Sequence, residues 1–182
     1  MEITQTLHVT TRDEWRQWLM ENHASAREIW LIFPAGQSGK PRLPYLHAVE
    51  EALCFGWIDG IQKKMDAGQN AQRFTPRRPN SNWTELNKDR ARRLIAQGKM
   101  TAAGRAVLPD LTPAPFVVAE DILQALRADG QTWENYQRFP ELYRRIRVNA
   151  IEEVRADAAL FQKRLERFVE KTRANKMYGV WE

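Results

Sequence analysis

The sequence predicts an α+β fold: a small antiparallel sheet (one strand plus a β-hairpin) packed by helices and followed by a helical C-terminal half. Three observations predict it. The apolar run Glu28–Phe33 is short and stops at Pro34, as a strand does. The runs Trp57–Met65 and Ala71–Thr75 flank Asp66-Ala67-Gly68, which is turn chemistry between two strands. From about Val118 onward the apolar residues recur at helical spacing. Parallel βαβ alternation is absent, which argues against a doubly wound sheet.

The elements follow in order. Thr11-Arg12-Asp13-Glu14 has the form of a capping box, and Trp15, Trp18 and Leu19 continue it as an amphipathic helix to about His23. Pro34 to Pro44 carries Gly36, Gly39 and Pro41 and reads as loop. Pro44 suits a first helical position, and Val49, Ala52 and Leu53 form the stripe of a helix that stops at Gly56. Pro76 and Pro79 end the hairpin. Asn82, with Glu85 three residues on, reads as the cap of a helix that buries Trp83, Leu86, Leu94 and Ile95 and closes at Gly98. Pro109, Pro113 and Pro115 mark a connector. Four helices are then expected, over 118–128, 132–138, 141–153 and 156–176. The last carries the stripe Leu160, Phe161, Leu165, Phe168 and Val169, which fits packing on the domain or on a second copy in a homodimer. Residues 1–105 read as the α+β core and 106–182 as its helical extension within the same domain.

A chain of 182 residues, 43% of them hydrophobic, can bury a core without disulfides or metals. The single cysteine, Cys54, excludes an internal disulfide and a cysteine-rich zinc site, and favours a reducing compartment. The start, Met1-Glu2-Ile3-Thr4-Gln5, has neither a basic stretch nor an apolar one, and no apolar run is long enough to span a bilayer; a cytoplasmic location is expected. Charge is unevenly placed. Residues 1–60 carry 5 basic and 8 acidic groups, 61–105 carry 11 and 3, and 106–182 carry 12 and 12. The excess positive charge therefore sits in the middle stretch.

Candidate site residues lie there. A strand puts Trp57, Asp59, Ile61 and Lys63 on one face and Ile58 on the other. An aromatic beside a carboxylate, bracketed by Gly56 and Gly60, suits a ligand floor; equally, Trp57 is core and Asp59 bonds a turn or an arginine. Arg73, Thr75 and Arg77 then lead to Ser81, Asn82 and an exposed-looking Trp83 at a helix start. Guanidinium forks and free N–H groups there suit a small anion. The plainer alternative is that Ser81 or Asn82 caps the helix and the arginines are solvated or pair with Asp59, Glu50 or Glu51. Hairpin register decides whether Asp59 meets Arg73 or Thr75.

Catalytic patterns are weak. His47 and Cys54 stand two helical turns apart, roughly 10 Å, too far for a thiol activated by direct hydrogen bonding. The histidines lack ligand spacing, so no metal and no cofactor is expected. Asp59 or Glu51 as a general base is the enzymatic alternative. Lys88, Arg90, Arg92, Arg93, Lys99 and Arg105 resemble a solvated helix face more than a nucleic-acid site, since aromatic interleaving is missing.

The segment Ala48-Val49-Glu50-Glu51-Ala52-Leu53-Cys54-Phe55-Gly56-Trp57-Ile58-Asp59-Gly60 resembles the hallmark of the YdeI/OmpD-associated (bacteriocin-protection) family. Gln72-Arg73-Phe74-Thr75-Pro76-Arg77, Ser81-Asn82-Trp83 and Gly98-Lys99-Met100 continue the pattern. The resemblance is strong over about Trp15–Gly104 and weaker through Tyr143 to Gly179. After Gly104 the chain departs from the pattern, with Pro109 to Pro115 in place of an Ala/Lys-rich helix. The resemblance implies protection against bacteriocins or antimicrobial peptides and association with an outer-membrane porin, which leaves the periplasm as a second location. It implies no reaction or cofactor. The combined expectation is a non-enzymatic binding protein for a small anion or a protein partner, with Glu51, Trp57, Asp59, Lys63, Arg73, Thr75, Arg77, Ser81, Asn82 and Trp83 at its site.

Overall fold

The computed structural model describes residues 2–34, 42–65, 68–78, 81–113 and 115–179. The loop expected over Pro34–Pro44 and the turn at Asp66–Ala67 fall largely outside these residues, as does Pro79. The chain forms two compact units, one of Met1–Asn82 and Arg90–Leu111, the other of Trp83–Asp89 and Thr112–Glu182.

The first unit holds a four-stranded sheet of β1 (Thr6–Leu7), β2 (Ile29–Phe33), β3 (Trp57–Lys64) and β4 (Asn70–Pro76), in the order β1-β2-β4-β3. The α+β class and its helical C-terminal half are as the sequence predicts. The sheet is mixed rather than purely antiparallel, because the short edge strand β1 runs parallel to β2 with Thr6 opposite Trp30. Two residues carry no periodicity, so β1 leaves no pattern in the sequence.

Helix α1 (Arg12–Asn22) has the full capping box: Thr11 accepts from the Glu14 amide at 3.2 Å, and Glu14 accepts back from the Thr11 amide at 3.1 Å. Its aromatic stripe covers one face of the sheet. Trp15 packs on Phe74 of β4 at 5.5 Å, and Trp18 meets Trp57 of β3 edge-on at 5.8 Å. The Trp15 indole N–H donates to the Ala48 carbonyl of α2 (Tyr45–Cys54), so the first two helices are fastened as well as packed. Pro44 sits one residue earlier than expected, as the N-cap of α2.

Helix α3 (Glu85–Ala96) buries Arg90, Ala91 and Leu94. Its cap is Thr84, whose hydroxyl accepts from the Asn87 amide at 3.3 Å, and not Asn82. Gly98, at φ +69°, closes it as expected, with the Lys99 amide returning to the Leu94 carbonyl. A short helix that the sequence did not signal, α4 (Ala102–Ala106), follows under the cap of Thr101.

The second unit contains α5 (Glu120–Arg127), α6 (Gly130–Arg138), α7 (Glu141–Glu152) and α8 (Ala158–Arg173), close to the four expected spans. Asp129 and Asp157 cap α6 and α8. Its core gathers Ile122, Leu126, Tyr136, Tyr143 and Phe168. The α8 stripe is used inside this unit, with Leu165 and Phe168 buried. Buried Asn135 of α6 donates to the Thr172 carbonyl at 3.0 Å, satisfying the end of α8.

Candidate functional site

The hairpin register separates the predicted site residues. Trp57 lies opposite Pro76, Ile58 opposite Thr75 and Asp59 opposite Phe74. Pairing then resumes with Gln62 opposite Gln72, so β3 has Gly60 and Ile61 where β4 has only Arg73. This one-residue bulge reverses facing beyond it. Trp57 and Asp59 share the Phe74 face. Lys63 lies instead opposite Ala71, with its ammonium 5.9 Å from the Trp30 ring on the other face. Buried Gln72 stabilises the bulge by donating to the Gly60 carbonyl at 2.7 Å.

Asp59 therefore meets neither Arg73 nor Thr75. Arg73 is opposite Trp30, and its guanidinium is bonded to Glu28, with Nε to Oε2 at 2.7 Å. The Thr4 hydroxyl, and after it Arg73, hold the Glu28 carboxyl below its ordinary range. Arg77 lies elsewhere: its backbone amide donates to the Gly56 carbonyl, and its Nη1 donates to Ser81 Oγ and to the Asn82 carbonyl, both at 3.1 Å. A convergent Arg73–Arg77 anion grip is not formed. Trp83, read from sequence as exposed, is buried at 8% exposure, and Trp57 is core, with its indole N–H on the His23 carbonyl.

Glu51 is 2% exposed and is held by Arg12 and Arg16, the latter at 2.5 Å. Buried, with both oxygens engaged by guanidiniums, it is not the accessible carboxylate that a general base requires. Cys54 is buried, and burial followed by the nearby Glu51 charge pushes its thiol up to about 11, far from a reactive thiolate at neutral pH.

The structure instead links Asp59 to Tyr45, whose hydroxyl donates to Asp59 Oδ2. Burial first, and this bond second, raise the Tyr45 pKa above its usual value. Two guanidiniums share the Asp59 field. Arg77 and Arg90 are 6% and 5% exposed; burial lowers the pKa of each, while Asp59 opposes that shift. Arg90 thus departs from the solvated face that its helical spacing predicted.

Tyr45 also walls a cleft of about 410 Å³ at the end of the sheet. Phe33, Pro34, Leu43 and Pro44 supply its apolar surface; Arg42, Gln62 and Asn70 supply its polar groups. One guanidinium, two carboxamides and a phenol line it, and among the described residues no carboxylate does. None of the ten sequence-predicted residues lines this cleft. The sequence offered only a tyrosine after a proline and scattered amides, which carry no spacing signal. Among the described residues, no group of three or more His, Cys, Asp or Glu could hold a metal ion, and no helix is long and apolar enough to cross a membrane.

The fold and cleft define a protein of two parts, an α+β unit that carries the polar cleft and a helical unit that follows it. Residues 7–107 match the family described as a domain of unknown function (DUF8412), more than half of the 182-residue chain, and the chain belongs to that family. Residues 115–175 match the family described as bacteriocin-protection, YdeI or OmpD-associated, which supports the resemblance seen in the sequence. That match falls on the helical half, where the resemblance was weaker, whereas the Ala48–Gly60 wording lies within the other match. No curated protein and no solved structure matches the chain.

Proposed function

We propose that this chain is a non-enzymatic binding protein whose α+β unit takes a small anionic ligand in the Tyr45 cleft, in the service of defence against bacteriocins or related envelope stress. The lining of the cleft carries the reading: Arg42, Gln62 and Asn70 bring donors to a concave space that no carboxylate of the described residues lines. A cleft of about 410 Å³ is within the roughly 300–1,000 Å³ range of small-molecule sites. Arginine with carboxamides suits a carboxylate, such as that of an acidic metabolite or a peptide end. The defensive role rests on the match of residues 115–175 to the bacteriocin-protection family. With a net charge of +5, the chain repels a cationic peptide at long range, so protection through sequestering such a peptide is disfavoured.

The test is a thermal-shift screen of small carboxylates and acidic dipeptides against wild type, Arg42→Gln and Tyr45→Phe. A ligand at 100 times its dissociation constant stabilises by about 2.7 kcal/mol. A carboxylate that stabilises wild type and leaves Arg42→Gln unshifted supports the reading. A carboxylate that shifts both equally, or a screen in which none shifts wild type, refutes it.

A further inference from the structure

The geometry points to a second anion site, on the helical unit, built to hold a phosphomonoester group between α7 and α8. Helix α8 ends at Arg173, and Asn175, at φ +51°, turns the chain back as the Lys176 amide bonds the Lys171 carbonyl. This turn brings Tyr178 against the two helices. Its ring meets Tyr143 edge-on at 6.5 Å, with the Arg147 guanidinium 5.0 Å and the Arg167 guanidinium 4.8 Å from its centroid. Cation–π contact on one phenol holds two guanidiniums in place before any ligand arrives.

Arg164, one turn before Arg167 on α8, adds a third guanidinium and donates to the Ala150 carbonyl of α7. Together Arg147, Arg164, Arg167 and Tyr178, with Ala150 and Ile151 as an apolar floor, line a pocket of about 260 Å³. Among the described residues no carboxylate lines it, and neither Arg164 nor Arg167 has a carboxylate partner. By contrast, Arg127, Arg138, Arg145, Arg155 and Arg173 of the same unit each pair with an acidic side chain.

Three planar forks around one concavity match the tetrahedral oxygens of a phosphate better than the two oxygens of a carboxylate. The volume lies just below the roughly 300–1,000 Å³ of drug-sized pockets, so the occupant is a headgroup rather than a whole nucleotide. A phosphomonoester on a small metabolite and one on a lipid headgroup present the same chemistry to it. The site is separate from the Tyr45 cleft and does not depend on the reading given to that cleft.

The test uses the full chain, with glycerol phosphate followed by calorimetry and phosphatidic acid vesicles followed by co-sedimentation, phosphatidylcholine vesicles serving as the blank. The variants are Arg167→Gln, at an exposed position that leaves the Arg164–Ala150 bond in place, and Lys163→Gln, which removes one charge outside the pocket. Each variant's melting temperature reports that it folds. Loss of one charge-assisted hydrogen bond weakens binding about ten- to a hundredfold. Glycerol phosphate binding that falls by this factor in Arg167→Gln and holds in Lys163→Gln supports a soluble phosphomonoester. The same pattern seen only with phosphatidic acid supports the lipid headgroup. Absence of binding in both arms, or equal weakening by both variants, overturns the proposal.

Discussion

The hydroxyl of Tyr45 donates to Asp59 Oδ2, tying the first residue of α2 to β3 immediately before its bulge. The bond sits at a boundary. On one side Tyr45 walls the cleft, and on the other Asp59 faces the buried guanidiniums Arg77 and Arg90. The phenol that walls the cleft is thus already polarised by a carboxylate, and its state is measurable.

Tyr45 stays protonated in the folded chain beyond the pH at which a free tyrosine ionises, because burial, and then the Asp59 charge, disfavour the phenolate. The unfolded chain ionises this group near pH 10. A raised folded pKa gives stability that is complete below about pH 10 and lost as pH rises from there through the folded value. Tyr45→Phe is expected to be less stable than wild type at pH 8, with the gap narrowing between about pH 10 and 11. Urea unfolding of both proteins at these pH values checks it. A gap that stays constant through pH 11 would show that Tyr45 titrates normally.

Glu51 and Glu50 are neighbours in sequence with different energetic roles. Glu51 is 2% exposed between Arg12 and Arg16, whereas Glu50 is 18% exposed, 2.9 Å from Arg12 and 4.0 Å from Arg93. Removing one partner of a buried pair leaves uncompensated charge and costs about 3–5 kcal/mol, while a partly exposed pair contributes about 1 kcal/mol or less. Arg12 and Arg16 are about a quarter exposed and recover some hydration, so Glu51→Gln should lie near the lower bound, about 3 kcal/mol. Glu50→Gln should cost about 1 kcal/mol. Equal urea midpoints for the two variants would show that the burial of Glu51 carries no special weight.

The fold was legible where the signal is local. The Thr11 box, the glycine stop at Gly98 and the apolar stripes of the C-terminal helices each reside within a few residues, and each forms. The candidate site was not legible because it depends on long-range pairing. Nothing in Gly60-Ile61 announces that β3 has one residue more than β4 there, yet that residue moves Lys63 to the Trp30 face. Arg73 is claimed by Glu28, 45 positions away. Arg90 sits in a basic run whose spacing describes an exposed face; only tertiary packing buries it. At the start of α3 two capping residue types compete, Asn82 and Thr84, and local pattern alone does not separate them.

The last prediction concerns Gly104, where α4 approaches the end of α2. A Cβ at Gly104 would lie 2.3 Å from the Cys54 carbonyl oxygen and 2.5 Å from the Met100 sulfur. Met100 can rotate away, but the carbonyl cannot move freely. It accepts from the Thr101 amide at 3.1 Å and from the Thr101 hydroxyl at 2.5 Å, and Thr101 in turn caps α4 through the Gly104 amide. Overpacking against backbone costs about 1–3 kcal/mol, and disturbing a threonine cap adds about 1 kcal/mol. Gly104→Ala is therefore expected to destabilise by about 3 kcal/mol. Gly130→Ala is the matched control: it opens α6, nothing lies within 4 Å of its Cβ, and it should be neutral or stabilising by up to about 1 kcal/mol. Urea midpoints for the two alanine variants separate the cases, and a Gly104→Ala chain as stable as Gly130→Ala would mean that α4 does not rest on the Cys54 carbonyl.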